Sequence, residues 1–318
     1  MKNKSRKNDI QYIECEDYQK LIELFDDRYT IQYLYYINRT RKFHYRKKEI
    51  AKKNGGIRKI LVPDGNLKNI QRAILIKHLE NIPISSYATA YHKGAKLTSN
   101  AIPHLNKKII LKMDISDFFG SISEDSVYLN AFNKNYFSQR VGKLLASLCC
   151  YKGSLVQGTP TAPAIANIIM KKFDEAIGKW CSDKNIVYTR YCDDMTFSGD
   201  FSKDLVISKV TKLLNSMNLY PNEKKTIVIP KNKRQIVTGV MVNEKIQVPE
   251  SYRKEIRKEI YYCKKFGVES HLEHCNIKSQ YTKQSYINHL CGKINYVLMI
   301  NPEDREFINY RHDVKTLE

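Results

Sequence analysis

Two apolar stretches of the chain, each predicted to be buried β structure, lead directly into acidic residues. Residues 109–113 are followed by Asp114, and residues 186–198 are predicted to form two strands that meet in a hairpin at Asp193-Asp194. Ionised carboxylates beside buried strands are costly unless a cation neutralises them. Asp residues are also common in simple turns. The neighbouring sequence is therefore needed to distinguish a simple turn from a cation site.

The order of the predicted elements indicates an α+β fold, with strands and helices alternating in the middle and helices at both ends. We expect basic helices within residues 1–50, a strand at 57–62, helices at 67–81 and 160–180, a hairpin of 237–242 with 245–248 closed by Asn243-Glu244, and helices after Pro249. This length and composition suit one large domain or two to three closely joined subdomains.

The charge balance indicates a polyanionic partner. Fifty-four Lys and Arg stand against 33 Asp and Glu, which gives a formal net charge of +21. The basic residues are spread along the chain and interleaved with many of the 22 Tyr. That mixture suits contact with a nucleic-acid backbone together with base stacking, and it favours nucleic acid over a membrane surface.

Location and metal content are also constrained by composition. No stretch approaches the roughly 20 apolar residues of a membrane span, and the basic residues 1–8 are not followed by a signal-type apolar segment. We therefore expect a cytoplasmic protein without a membrane partner. The eight Cys form no Cys-x-x-Cys pair, and the spacing of His271, His274 and Cys275 fits none of the common zinc patterns.

Four motifs occur in an order that resembles the reverse transcriptase family. They are Lys112-Met113-Asp114-Ile115-Ser116-Asp117-Phe118-Phe119, Gln157-Gly158-Thr159-Pro160-Thr161-Ala162-Pro163, Tyr191-Cys192-Asp193-Asp194 and Asn222-Glu223-Lys224-Lys225-Thr226. Each motif alone is weak, but together they cover roughly residues 55–250 and make a strong match. The resemblance implies a right-hand polymerase, with N-terminal helices and fingers in 1–112, a palm with an antiparallel sheet in 113–250, and a small RNA-binding helical thumb in 251–318.

The resemblance also implies a catalytic centre that contains two Mg²⁺ ions. Asp114 and Asp193 are expected to be the main metal ligands with Asp194 beside them, because oxygen-rich clusters suit Mg²⁺ that is shared with substrate phosphates. Lys225 is expected to give a proton to the departing pyrophosphate. A solvated basic turn at Lys224 and Lys225 remains the competing interpretation.

The same family pattern suggests which residues bind the incoming deoxynucleotide. The backbone from Ile115 to Phe119 is expected to pass under the triphosphate, and the Phe119 ring to exclude a ribose 2′-hydroxyl, whereas Phe118 is expected in the core. Gln157 and Gly158 are expected against nucleotide and template. Arg58 is expected to hold triphosphate oxygens, with Lys59 a solvated charge.

Two further motifs resemble those of bacterial retron reverse transcriptases. They are Asn100-Ala101-Ile102-Pro103-His104 and Val237-Thr238-Gly239. The expected RNA-binding residues are Asn100, His104, Val237, Thr238 and Gly239. Such enzymes copy part of a structured non-coding RNA into RNA-linked single-stranded DNA, which makes that RNA, the RNA–DNA hybrid and dNTPs the implied partners. An effector protein and a role in defence against phage are implied by the resemblance only.

Other functions stay open at this point. A group II intron enzyme shares the polymerase core but usually carries further segments beyond the thumb. A diversity-generating enzyme has a different pattern in place of the Gln-Gly element, whereas Gln157-Gly158 is intact in this chain. An RNA-templated RNA polymerase is disfavoured by Phe119. A catalytically silent RNA-binding protein of the same fold is the alternative from another class, although every expected acidic ligand is present.

Overall fold

The computed structural model describes residues 15–51 and 55–317. Its α-helices are α1 (Cys15–Phe25), α2 (Ile31–Arg39), α3 (Gly65–Lys77), α4 (Leu97–Ala101), α5 (Glu124–Ala131), α6 (Gln139–Cys149), α7 (Ala162–Ser182), α8 (Lys203–Asn215), α9 (Glu250–Phe266), α10 (Val268–His274), α11 (Lys283–Ile300) and α12 (Arg305–Lys315). Its strands are β1 (Tyr45–Ala51), β2 (Ile57–Pro63), β3 (Ile109–Asp114), β4 (Cys150–Tyr151), β5 (Ser154–Leu155), β6 (Val187–Tyr191), β7 (Asp194–Gly199), β8 (Ile227–Pro230), β9 (Ile236–Val237) and β10 (Val240–Met241). The predicted α+β class is confirmed.

A four-stranded sheet in the order β6-β7-β3-β8 carries the acidic residues. Strand β3 ends at Asp114, as predicted, and β6 and β7 form the predicted hairpin. The turn itself consists of Cys192 and Asp193, and Cys192 has a positive φ of 61°. Asp194 is therefore the first residue of β7, one position beyond the turn to which it was assigned.

Helices pack where the apolar periodicity predicts them. Helix α7 begins at Ala162 with Pro163 in its first turn, where a missing N–H does not matter. Its apolar face is buried, including Ile165, Phe173 and Ile177. Helix α3 begins after Asp64, whose side chain accepts a hydrogen bond of 3.0 Å from the Leu67 amide.

One local prediction was wrong and another was incomplete. Residues 45–50 were assigned to basic helices, but they form β1, which pairs antiparallel with β2 from Tyr45–Pro63 to Ala51–Ile57. The predicted pairing across Asn243-Glu244 is confirmed by an antiparallel bridge between Met241 and Gln247, but β9 and β10 also form an unpredicted hairpin that turns at Thr238 and Gly239. Both turn residues have positive φ, 47° and 84°, which matches the twist of a two-residue hairpin turn. In residues 45–50, pairing with β2 overrode the local pattern that predicted a helix.

The chain forms two compact units. The first contains the described residues up to Ala95 together with Lys112–Met195 and Phe201–Ile227, and the second contains Lys96–Leu111, Thr196–Asp200 and the chain from Val228 onward. The second unit has its own apolar core, which includes Val237, Ile256, Leu290 and Phe307. The division into fingers, palm and thumb at residues 112 and 250 stays a prediction.

Some expectations concern residues at the edge of the described chain. The basic segment 1–8 and Asn54 of the predicted turn lie outside the described residues. Among the helices that are described, none combines the length and the apolar character that a membrane span requires.

Candidate active site

A cleft of about 770 Å³ in the first unit gathers most of the predicted catalytic and nucleotide-binding residues. Its lining includes Arg58, Ile115, Phe119, Gln157, Asp114, Asp193 and Lys225. Gly158 and Asp194 directly follow two of these residues in sequence. Motifs that are far apart in the chain therefore meet around one open cavity.

Asp114 is almost fully buried and is held by two residues of the segment after α8. Lys225 Nζ lies 2.9 Å from each of its carboxylate oxygens. Asn222 donates twice, from its side-chain amide to Asp114 Oδ2 at 3.2 Å and from its backbone N–H to the Asp114 carbonyl at 2.7 Å. Asn222 was not among the predicted site residues, although it lies three residues before Lys225 in a recognised motif.

The other two carboxylates are in an environment that favours protonation unless a cation is present. Burial raises the pKa of Asp193 above its ordinary value, and the negative charge of Asp114 adds to this effect. Burial likewise raises the pKa of Asp194, with further contributions from Asp193 and Asp114 against the opposing charge of Lys112. Crowded, partly desolvated carboxylates of this kind are stabilised by a cation.

The donor set fits a hard divalent cation because it consists of carboxylate oxygens. In the described part of the chain, no group of three or more His, Cys, Asp or Glu side chains is arranged as a ready-made metal cluster. The cation that neutralises Asp114 in this structure is the Lys225 ammonium. His271, from the zinc pattern considered above, is buried, and its Nε2 lies 3.0 Å from the Tyr286 hydroxyl.

The segment after β3 forms one wall of the cleft. Ile115 and Phe118 are buried, at 2% and 3% exposure. Phe119 is only partly buried and lines the cleft, with its ring centroid 5.4 Å from that of Phe118. This arrangement matches the expected assignment of Phe118 to the core and leaves the Phe119 ring accessible to a ligand.

The Gln157-Gly158 element lies against strand β2. The Leu61 amide donates a hydrogen bond of 3.3 Å to the Gln157 carbonyl. Gly158 has a φ of 110°, and a Cβ placed on it would lie 2.7 Å from the Leu61 carbonyl oxygen, so only glycine fits without a shift. Arg58 and Lys59 on the same strand are exposed and both line the cleft.

The two retron-type motifs contact each other, and most of their side chains are buried. Asn100 and His104 are 1% and 0% exposed, and Val237 is 0% exposed. Asn100 Nδ2 donates to Thr238 Oγ1 at 3.4 Å, and His104 Nδ1 lies 2.6 Å from Ser198 Oγ. This corrects the expectation that Asn100, His104 and Val237 contact RNA with their side chains, because burial leaves them no free surface.

The Thr238-Gly239 turn of the second motif remains accessible. Gly239 is exposed and Thr238 is half-buried. Burial, together with the charge of Lys107, lowers the pKa of His104 to about 3, so its imidazole is neutral at neutral pH. Asn100 therefore supports this turn from inside the second unit, whereas His104 contacts Ser198 on β7.

Residues 50–281 match the family described as reverse transcriptase (RNA-dependent DNA polymerase). The chain belongs to that family: it is an RNA-directed DNA polymerase with the right-hand α+β fold, and its template is RNA. Reverse transcriptases act with divalent metal ions, which agrees with the oxygen donors of the cleft.

Within the family, the chain resembles retron enzymes. It is 29% identical over 289 residues to the retron Ec86 reverse transcriptase of Escherichia coli, covering 89% of this chain and 85% of that protein. It is 29% identical over 291 residues to the retron Mx65 reverse transcriptase of Myxococcus xanthus, covering 84% of this chain and 64% of that protein. The telomerase structure from Candida albicans with a telomeric RNA fragment aligns at 12% identity and a TM-score of 0.47, over 86% of this chain and 63% of that one. The predicted membership of the bacterial retron reverse transcriptases is confirmed.

Proposed function

We propose that this chain copies part of a structured non-coding RNA into single-stranded DNA by nucleotidyl transfer in the cleft. The observation that carries the proposal is the convergence of Asp114, Asp193, Lys225 and Phe119 on one cavity of the first unit. The similarity to retron enzymes over most of the chain supports a retron RNA as the template. A catalytically silent protein would not need this set of side chains.

In the proposed mechanism, Asp114 and Asp193 would hold two Mg²⁺ ions, with Asp194 beside them. The ions would neutralise the negative charge of the carboxylates and of the triphosphate. Lys225 holds a proton at Nζ and delivers it to the leaving pyrophosphate. Its position next to Asp114 and its exposed stem support this role.

The dNTP is oriented by groups on three sides of the cleft. Arg58 presents a guanidinium suited to triphosphate oxygens, and the Ile115–Phe119 backbone supplies the floor. The Phe119 ring packs against C2′ of the sugar and excludes a 2′-hydroxyl. Gln157 and Gly158 orient nucleotide and template.

The RNA partner is the cognate non-coding RNA, held with the growing RNA–DNA hybrid. The exposed Thr238-Gly239 turn and the basic helices of 251–318 are proposed to contact it, and the formal charge of +21 favours such a partner. We place the enzyme in the cytoplasm, where an effector protein acts with it in defence against phage.

The decisive experiment compares Asp193→Asn with Asp183→Asn, a matched change at an exposed residue at the end of α7. Asp193→Asn should abolish primer extension and the RNA-linked DNA formed from the gene with its flanking DNA. RNA affinity should stay within about twofold, because no basic contact is removed. Extension by Asp193→Asn within about tenfold of wild type, or an equal loss in Asp183→Asn, contradicts the proposal.

A further inference from the structure

A fully buried ion pair lies directly behind the turn that carries Asp193. Arg190 on β6 and Asp174 on α7 are both 0% exposed. Arg190 Nε and Nη2 donate to the two oxygens of Asp174 at 2.8 and 2.6 Å, in a bidentate arrangement. The Tyr188 hydroxyl donates to the same carboxylate at 2.7 Å. The position of the guanidinium is thereby fixed.

The remaining terminal nitrogen of Arg190 holds the catalytic turn. Nη1 donates to the Cys192 carbonyl at 2.8 Å and to Asn167 Oδ1 at 3.2 Å. The Cys192 carbonyl is part of the peptide unit that joins Cys192 to Asp193. A hydrogen bond to this carbonyl therefore fixes the orientation of that peptide plane, and with it the direction in which the Asp193 side chain leaves the backbone. Cys192 has a φ of 61°, an unusual conformation for a non-glycine residue that persists only where its surroundings hold it.

The same guanidinium is joined to the neighbouring chain segment. Asn167 Nδ2 donates to the Ala90 carbonyl at 2.7 Å. The Arg190 backbone accepts from Thr89 N–H at 2.9 Å and donates to the Tyr87 carbonyl at 2.8 Å. Helix α7, strand β6 and residues 87–90 are thus joined behind the turn through the backbone and side chain of Arg190 and the side chain of Asn167.

A buried ion pair is a poor way to gain stability, because apolar residues of similar volume are often as stable or more so. The pair instead orients the turn, because only the planar guanidinium of Arg190 can donate to Asp174 and to the Cys192 carbonyl at the same time. We propose that Arg190, held by Asp174, is a positioning residue that fixes the orientation of Asp193 and so sets the cation affinity of the active site. This inference rests on the proposed role of Asp193 as a metal ligand.

The test variant replaces the network by apolar residues while keeping the core filled. The triple change Asp174→Leu, Tyr188→Phe and Arg190→Met leaves no buried charge without a partner, but it removes the hydrogen bond to the Cys192 carbonyl. Ile177→Ala is the matched control, because it creates a cavity on α7 one turn from Asp174 without touching the turn.

The readout is Mn²⁺ binding, followed by electron paramagnetic resonance on the full chain with an annealed RNA template and DNA primer. Melting temperature and the Mg²⁺ concentration for half-maximal extension are measured alongside. Loss of a group that orients a metal ligand typically weakens metal affinity about 10- to 100-fold. We expect a weakening in that range for the triple variant and a change below about threefold for Ile177→Ala at a comparable melting temperature.

Wild-type Mn²⁺ affinity in a folded triple variant, or a shift equal to that of Ile177→Ala, overturns the inference. If the triple variant does not fold, Arg190→Lys replaces it, since an ammonium keeps the charge for Asp174 but lacks the fork that reaches Cys192. Arg190→Lys must then show the same weakening. Asp193→Asn is titrated in parallel: normal Mn²⁺ binding there refutes the proposed function itself, whereas loss there with normal Arg190 variants refutes only the positioning role.

Discussion

The ammonium of Lys225 lies 2.9 Å from both carboxylate oxygens of Asp114. The two partners differ in freedom: the Asp114 side chain is 7% exposed and is also bound by Asn222, whereas that of Lys225 is 59% exposed. The hydrogen bond to Asp114 raises the pKa of Lys225, which keeps it charged. A nearly buried carboxylate therefore faces an exposed ammonium, whose place beside Asp114 another cation can take.

Lys225→Met is expected to slow nucleotide addition about 100-fold or more, because a positioned general acid contributes on that order. RNA affinity should change little, since a single exposed charge is lost from a chain of net charge +21. The rate is measured under single-turnover conditions with saturating dNTP. Lys224→Met is the control, because Lys224 is the exposed neighbour. Equal rates in the two variants would show that the basic turn serves only as a solvated charge.

Phe119→Ala is expected to raise ribonucleotide incorporation relative to deoxynucleotide incorporation by at least about tenfold, through loss of a steric clash worth one to three kcal/mol. The partly exposed ring lines the cleft, so its removal opens space beside the sugar. The measurement is kcat/KM for each nucleotide on the same primer–template. Phe118→Leu, in the buried neighbour, should lower stability but leave the ratio unchanged. An unchanged ratio in Phe119→Ala would place the sugar discrimination elsewhere.

Gly158→Ala is expected to raise the KM for dNTP and to lower the free energy of unfolding by about 1–3 kcal/mol. The added methyl group meets the Leu61 carbonyl at 2.7 Å and so pushes strand β2 away from Gln157. Gly153→Ala is a matched control, because Gly153 also has positive φ but has nothing within 4 Å of a built Cβ. Urea unfolding and dNTP titrations are compared for both variants. The same KM change in both would mean that the close approach to Leu61 does not matter.

The parts of the site that could be predicted are those that depend on local pattern. The strand that ends at Asp114 and the hairpin that contains Asp193 follow from short apolar stretches, which are typical of buried strands. The motif order then indicated which elements meet in the cleft. The exact turn at Cys192-Asp193 required backbone geometry that the apolar pattern does not encode.

The parts that could not be predicted depend on tertiary burial. Asn100 and His104 have polar side chains that suit RNA contact, but the fold places them against Thr238 and Ser198 inside the second unit. In the sequence, Arg190 is not distinguished from the many other basic residues of the chain, and no local pattern predicts that it pairs with Asp174. Only the packing of α7 on β6 brings the two together.

The last prediction concerns acid stability and starts from His104, which is 0% exposed. Its Nδ1 lies 2.6 Å from Ser198 Oγ. Burial, assisted by the charge of Lys107, lowers its pKa from 6.5 to about 3. The folded chain thus resists a proton that the unfolded chain accepts. Because the folded pKa is depressed, the stability associated with neutral His104 is fully present above pH 6.5 and is lost as the pH falls from there towards about 3.

At pH 5 this linkage costs the folded state about 2 kcal/mol, since 1.5 pH units below the unfolded pKa correspond to that free energy. His104→Gln keeps a polar side chain near Ser198 but cannot titrate. We therefore expect the fall in unfolding free energy between pH 7.5 and pH 5 to be about 2 kcal/mol smaller in His104→Gln than in wild type, even if the variant is less stable at both values. Urea unfolding of the two proteins at both pH values provides the comparison, and all other titrating groups cancel in the double difference. Equal falls would mean that His104 takes up a proton in the folded state with a pKa close to that of the unfolded chain.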